Sequence, residues 1–517
     1  MGVSEAYLEV KAYLDKQGFH SQRPFIDHVI DLLEKYDPSK SLFINAPTGY
    51  GKTFISMSIA LDEYKNGYKS IIAYPLRSLI EDQKVKFERF MDWKGLKEIV
   101  GYRYMGNQSS PYLIHPVTLT TIDTLSLVAL GLSPEDTRNI INEIMGTNYG
   151  SLGHYMFSWS SVYTSTIILD EVHLLYDSSK SLSFLASLIK INKDLENKLV
   201  FMSATIPEKF IEKLKIYSGN LIYEKFDKTL DPNFFQERKE KNYKIEILKL
   251  TTENKLNKIK ELIEKEDFNK ALIVFNTVED AVNFYKLIQG RKILIHSRFS
   301  LEDREEKVKE IKNLREKAII IGTQAIEAGI DISSDLIISD IAPPNSLIQR
   351  FGRFLRQNEK KGKAYIWYEE NILNDEKERY YKVYDKKLVI DTLNYLEKHS
   401  DNINLHIDYD DFLNNIYKDE PEIDNKIIGE ILNTMFNLTD PTKSAFKLLL
   451  QLEGSIIRDG NLFIAITENG IKVPVNFPFL KQRCINCPKD EKEALLRSLK
   501  GEEFPIKGYY DKEIGVI

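Results

Sequence analysis

Ser41–Thr53 reads S-L-F-I-N-A-P-T-G-Y-G-K-T, and that order leaves little choice of local structure. Leu42, Phe43 and Ile44 form a short apolar run of the kind buried on both faces of a parallel sheet. Ala46, Pro47, Thr48, Gly49, Tyr50 and Gly51 follow as a loop, and Lys52-Thr53 open an amphipathic helix through Ala60. Glycines let backbone N–H groups wrap a phosphate, and the helix N-terminus adds positive potential. In such a loop Lys52 would reach the β- and γ-phosphates of a nucleotide, and the Thr53 hydroxyl would meet Mg²⁺. The usual pattern has Gly where Ala46 stands, so this is a variant of it.

A second stretch, Thr164–Leu175 or T-S-T-I-I-L-D-E-V-H-L-L, supplies acid to match. Ile167-Ile168-Leu169 is a β-branched strand run, and Asp170 and Glu171 follow where it should end. Ligands in open α/β sheets collect at the carboxyl ends of strands, so the pair falls at a site edge. An isolated Asp-Glu step is usually a solvated strand end. Beside a phosphate loop it becomes a candidate for Mg²⁺ and water chemistry.

At 517 residues the chain exceeds one core, and length predicts three or four domains. Hydrophobic content of 43% and charged content of 29% are those of a soluble globular protein. A net charge of −6 does not announce a nucleic-acid partner, although a basic groove on an acidic protein is compatible with it. No basic-then-apolar leader opens the chain and no apolar run reaches spanning length, so no membrane and a cytoplasmic location are expected. The two cysteines, Cys484 and Cys487, form a single C-x-x-C, half a zinc site at best; reduced thiols in a tight turn are expected.

In order, 3–36 shows two helical patterns separated by G-F-H-S-Q-R-P-F-I-D, where Phe19 and Gln22 could read an adenine. Ser70–Tyr74 and Val117–Thr121 read as strands, and Leu199–Pro207 as a strand ending in Ser203 and Thr205. Arg77 and Thr121 sit at strand ends, suited to a sugar–phosphate backbone or, more simply, to helix capping. Gly131–Ser160 reads as an insertion with a helix near Pro134–Met145. Residues 219–245 lose periodicity and gain charge, the pattern of a linker. A second strand–helix series then runs to 364 without a phosphate loop: strands at Lys270–Thr277, Lys292–His296, Ala318–Thr323 and Leu336–Asp340. Asn345–Arg356 is a helix-like run carrying Gln349, Arg350, Arg353 and Arg356. Arginines this dense need anionic partners, either surface carboxylates or a γ-phosphate reached across a cleft. Beyond 365 the sequence predicts helices at Tyr380–Glu397 and Ile427–Leu452 and a hairpin at Gly460–Val475, with turns at Asp459-Gly460 and Asn469-Gly470.

The ordered set A-P-T-G-Y-G-K-T, P-L-R-S-L-I-E-D-Q, T-T-I-D-T, D-E-V-H, S-A-T, V-F-N-T, T-Q-A-I-E-A-G-I-D and Q-R-F-G-R-F-L-R resembles a superfamily 2 helicase motor of the DExH kind, over roughly 18–360. A narrower likeness is to the CRISPR-associated helicase of type I interference systems, carried by D-E-V-H and by Ala342-Pro343 ahead of Ser346–Arg350. The resemblance implies an α/β fold of two tandem RecA-like parallel-sheet lobes, 1–218 and 246–364, joined by the 219–245 linker. A mixed, mostly helical accessory domain, 365–517, would follow.

It also implies an ATP- and Mg²⁺-dependent helicase moving on single-stranded DNA. Many relatives carry a fused nuclease with consecutive His-Asp ligands; no His-Asp step occurs here, so a separate HD nuclease subunit and an RNA-guided effector complex are the expected partners. Roles carried over are Asp170 on Mg²⁺, Glu171 as general base, and Gln349, Arg353 and Arg356 on the γ-phosphate. Asp331 falls to the ribose and Gln22 to the adenine, Asp27 standing where the family's Gln is expected. His173 would couple the site to Ser203 and Thr205, while Arg77, Thr121, Thr277, Thr323 and Gln324 would line the strand groove. Leu355 stands where the family often has Asn, and no consequence is expected. An RNA helicase, a repair helicase, or a binding module that has lost hydrolysis are the competing readings.

Overall fold

Short apolar runs, each followed by a helix, build two parallel sheets. The structure is a computed structural model describing residues 2–18, 22–104, 107–136, 139–140, 142, 155–176, 178–218, 221–327, 329–377, 379–381, 383–419, 421–435, 441–453, 455–457 and 460–516. Phe19, Asp459 and half of the helix expected near Pro134–Met145 lie outside these residues. The chain falls into two compact units, one of 1–231, 419–461 and 488–502, the other of 232–418, 462–487 and 503–517.

In the first unit the strands are β1 (Ser41–Asn45), β2 (Lys69–Tyr74), β3 (Val100–Arg103), β4 (Val117–Thr121), β5 (Ser165–Leu169), β6 (Leu199–Ser203) and β7 (Ile222–Lys225). They lie in the order β3-β4-β2-β5-β6-β1-β7, parallel throughout. Asn45 is level with Ser203, and Leu169 with Phe201. The register therefore brings the carboxyl ends of β5, β6 and β1 side by side, where a doubly wound sheet binds its ligand.

Alternate residues Phe43, Ile71, Ala73, Ile167, Leu169, Leu199 and Phe201 enter one core. The helix Ser179–Leu195 covers that face with Leu182, Leu185 and Leu188. Two late helices, Asn425–Met435 and Pro441–Gln451, add Ile431, Met435, Phe446 and Leu449 to the same core.

The second unit holds β8 (Ile245–Leu250), β9 (Lys270–Val274), β10 (Lys292–Ile295), β11 (Ala318–Gly322), β12 (Leu336–Asp340) and β13 (Lys363–Glu369). Their order is β10-β11-β9-β12-β13-β8, again parallel. A hairpin of Leu462–Ile466 and Lys472–Asn476, turning at Gly470 with φ +81°, sits where the sequence reading placed it. Phe504–Pro505 extends it by a parallel strand.

The compact units cut the chain differently from the sequence reading. Residues 219–245 hold edge strand β7, the helix Pro232–Lys239 and the start of β8. Residues 365–517 divide between both units because their helices at 425–451 bury their apolar faces on the first core rather than on each other alone. The cysteine expectation is overturned: Cys484 and Cys487 form a disulfide. The helix Phe477–Arg483 ends at Cys484, and the following turn brings the two Cα atoms to 5.2 Å, within bonding range. No helix among the described residues is long and apolar enough to cross a membrane.

Candidate functional site

The phosphate loop leaves β1 with Ala46 N–H donating to Ser203 O at 2.9 Å, which ties it to the end of β6. Gly49 and Gly51 have φ of +78° and +108°. A Cβ at Gly51 would come within 2.9 Å of the Phe54 ring, so glycine is required there on both counts. Tyr50, placed by the sequence simply in the loop, turns its ring fully inward. Its hydroxyl accepts from Phe25 N–H (3.0 Å) and donates to Asp231 (2.8 Å), while Phe226 packs edge-on to the ring. The loop is thus anchored at its middle and opens the helix Lys52–Lys65.

Lys52 Nζ donates to Ala46 O at 3.2 Å and lies 3.8 Å from Glu171 Oε1. Asp170 is buried at the end of β5. Burial, and then the neighbouring Glu171 charge, push its carboxyl up to about 7. Glu171 takes a left-handed backbone (φ +56°, ψ +39°), uncommon without glycine and frequent where a functional side chain must be aimed. Its Oε2 lies 3.3 Å from His173 Nδ1 without hydrogen-bond geometry. His173 Nδ1 meets Ser203 Oγ at 3.1 Å, and Ser203 Oγ accepts from Thr205 N–H at 3.3 Å. Burial drives the His173 pKa down to about 4, so the ring is neutral near pH 7. Among the described residues, Glu171 Oε2, His173 Nε2 and Thr205 Oγ1 are buried without a hydrogen-bond partner. Buried polar atoms are ordinarily satisfied, so their concentration here marks a surface built for a missing polar group.

In the second unit the helix Pro344–Phe351 and the turn after it carry the arginines. Arg350 is completely buried and bonded to Glu327 (2.9 Å), Ser339 Oγ (2.9 Å), Asp340 O (2.8 Å), Asn276 (3.0 Å) and Tyr384 OH (3.1 Å). It braces the strand ends, a role the sequence did not reveal. Gln349 Nε2, Arg353 Nε and Arg356 Nη1 are instead buried without a partner. Arg353 Nη2 donates to Glu327 O at 3.1 Å, and Arg356 Nη2 lies 3.5 Å from Asp331. Leu355, for which no consequence was expected, has φ +48°. Asn enters that region far more readily than Leu, so the substitution places backbone strain immediately before Arg356.

The remaining candidates are less distinctive. Thr121 caps the helix Ile122–Ala129 by accepting from Thr124 N–H (3.2 Å), and Thr277 caps Val278–Leu287 through Asp280 N–H (3.1 Å). Gln324 Nε2 donates to Asn276 O at 3.1 Å, Thr323 is buried, and Arg77 opens the helix Arg77–Trp93 beside Glu81. Gln22 is exposed, with its carbonyl taken by Arg23, and Asp27 pairs with Lys11 at 2.5 Å.

Residues 23–214 match the family model for DEAD/DEAH box helicases, a span that takes in the phosphate loop, the Asp-Glu pair and Thr205. That match lies within the first unit. Residues 267–359, with all four residues of the arginine segment, match a second model, CRISPR-associated nuclease/helicase Cas3, C-terminal. Over these two spans the chain is similar to superfamily 2 helicases of the Cas3 kind. A Cas3 relative from Methanocaldococcus jannaschii is 29% identical over 76% of this chain and 56% of its own length. The CRISPR-associated helicase Cas3 of Thermoproteus tenax is 27% identical over 63% of this chain and 55% of its own. The chain thus spans about half the length of the curated relatives it matches. The crystal structure of T. fusca Cas3-ADP shares the fold at a TM-score of 0.65 and 16% identity, covering 94% of this chain and 68% of that one.

Proposed function

We propose that the chain is an ATP-driven translocase on single-stranded DNA, unwinding target DNA in type I CRISPR defence beside an RNA-guided complex and a separate HD nuclease. The observation that carries this reading is Lys52, shared between Ala46 O and Glu171 at the carboxyl ends of β1 and β5. Cation and carboxylate hold each other until a triphosphate arrives. Lys52 then turns to the β- and γ-phosphates, and Glu171 is released to take a proton from the attacking water.

Among the described residues no cluster of three or more His, Cys, Asp or Glu side chains could cage a metal. Mg²⁺ needs none, since it keeps several waters and takes one or two carboxylates plus substrate phosphates. Thr53 and buried Asp170 fit that requirement and would hold the ion, which would neutralise charge developing on the phosphates. Gln349, Arg353 and Arg356 offer unpaired buried nitrogens to the γ-phosphate, and Asp331 is assigned to the ribose. Gln22 is assigned to the adenine. His173, neutral and bonded to Ser203, carries the state of Glu171 toward Thr205. Arg77, Thr121, Thr277, Thr323 and Gln324 are assigned to the DNA backbone.

The test is phosphate release by Lys52→Ala and Arg356→Ala with single-stranded DNA or RNA present, followed by displacement of a forked duplex with and without an HD nuclease. A loss on the order of 10³-fold in both variants, with DNA the stronger activator, is expected. Wild-type turnover in either variant overturns the site, and stronger stimulation by RNA overturns the substrate.

A further inference from the structure

Residues 232–241 were read as part of a linker, yet two of their cations hold the loop that presents Arg356. Arg238, near the end of the helix Pro232–Lys239, donates from Nη1 to Arg356 O at 3.0 Å. Lys241 Nζ donates to Gln357 O at 2.6 Å and to Glu359 O at 2.9 Å. Lys241 is 6% exposed, which is unusual for a lysine whose bonds are to neutral carbonyls. On the other side of the loop, Ser333 Oγ accepts from Arg356 N–H (2.9 Å) and Gln357 N–H (3.1 Å), and its hydroxyl donates to Glu359 (2.7 Å).

Past the helix Pro344–Phe351, backbone bonds tie Arg353 and Phe354 to the last helical turn and bridge Arg353 and Leu355 to Ser334, but among the described residues no helical ladder continues over 356–359. Side chains from two other segments take over that task. Leu355 is held in a left-handed conformation just before the clamp, which persists only where the surroundings over-determine the backbone. The clamp holds only the backbone; of the guanidinium, Nη2 lies 3.5 Å from Asp331, while Nη1 is buried and unpaired among the described residues.

We propose that Lys241 and Arg238 are positioning residues for Arg356: together they fix the backbone from Arg356 to Glu359 so that the guanidinium is aimed before nucleotide arrives. This rests on the reading of Arg356 as a γ-phosphate probe. Charged donors make stronger hydrogen bonds than neutral ones, so all three carbonyls are held firmly in a segment outside the helix. A probe of transition-state charge is sensitive to placement, and a shift of about 1 Å can lower turnover on the order of a hundredfold.

The experiment is steady-state ATPase of the full chain with saturating single-stranded DNA. Lys241→Met, which keeps the stem and removes the donor, should lower kcat at least about tenfold with the KM for ATP unchanged within about twofold, since the phosphate loop is untouched. Arg238→Met should act in the same direction, and Lys241→Arg should recover most of the loss. Combined with Arg356→Ala, Lys241→Met should add nothing further, because the clamp works only through that side chain. Wild-type kcat in both methionine variants overturns the proposal, as does a double variant whose losses multiply. A fall in kcat that comes with lost cooperative melting and no recovery in Lys241→Arg marks a purely structural role and also overturns it. If Arg356→Ala turns over like wild type, the reading of Arg356 fails; if it is dead while Lys241→Met is normal, only the clamp fails.

Discussion

Glu171 is held in place by its backbone rather than by its hydrogen bonds. Its left-handed conformation turns one carboxylate oxygen toward Lys52 and the other toward His173. Glu171→Gln keeps the shape and removes the proposed base, so hydrolysis should fall about 10²- to 10⁴-fold while nucleotide affinity is retained. Phosphate release and titration with a fluorescent nucleotide check the two halves of that statement. His406 offers a second test at this scale. Its ring packs among Tyr243 and Phe354 with Nε2 unpaired, and burial, then the charges of Arg238 and Lys241, lower its pKa to about 3. The unfolded chain binds a proton near pH 6.5 that the folded chain refuses until about pH 3. Stability from this group is therefore complete above about 6.5 and is lost as pH falls toward 3. His406→Phe removes that loss, so its melting midpoint should fall less than wild type's between pH 7 and 4.5.

Elements differed in how plainly the sequence showed them. Strands β1, β2, β4, β5, β6, β9, β11 and β12 are apolar runs at a sheet's interior, and their residues disclose them, with the ends of β6 and β9 placed three or four residues too late. The edges did not. Ile222–Lys225 is half-exposed along its length and carries Glu224 and Lys225, so nothing in its pattern separates it from a linker. Val100–Arg103 is another short edge strand, interrupted by Gly101. The phosphate loop and the Asp-Glu pair were legible because their chemistry is local. Arg350 and Lys241 were not, because their partners lie up to 118 residues away. The late helices were visible as helices but not as a cover for the first sheet. Ile431→Ala tests that packing: it empties a fully buried site and should cost about 2–5 kcal/mol in denaturant unfolding, far along the chain from the phosphate loop.

At the scale of the molecule, an acidic chain proposed to act on single-stranded DNA must bind it through a local concentration of cations. Affinity for single-stranded DNA should accordingly fall linearly in log–log form as salt rises, with a slope of about −0.7 per phosphate neutralised. A salt-independent affinity would count against a backbone-directed groove. The unit boundaries carry a different consequence. The first unit takes residues 1–231 from the beginning of the chain and 419–461 and 488–502 from near its end. A ribosome delivers the sheet well before it delivers Ile431 and Phe446, so one apolar flank of the nascent protein stays uncovered through most of synthesis. A chain ending before residue 425 would therefore leave part of its first core bare.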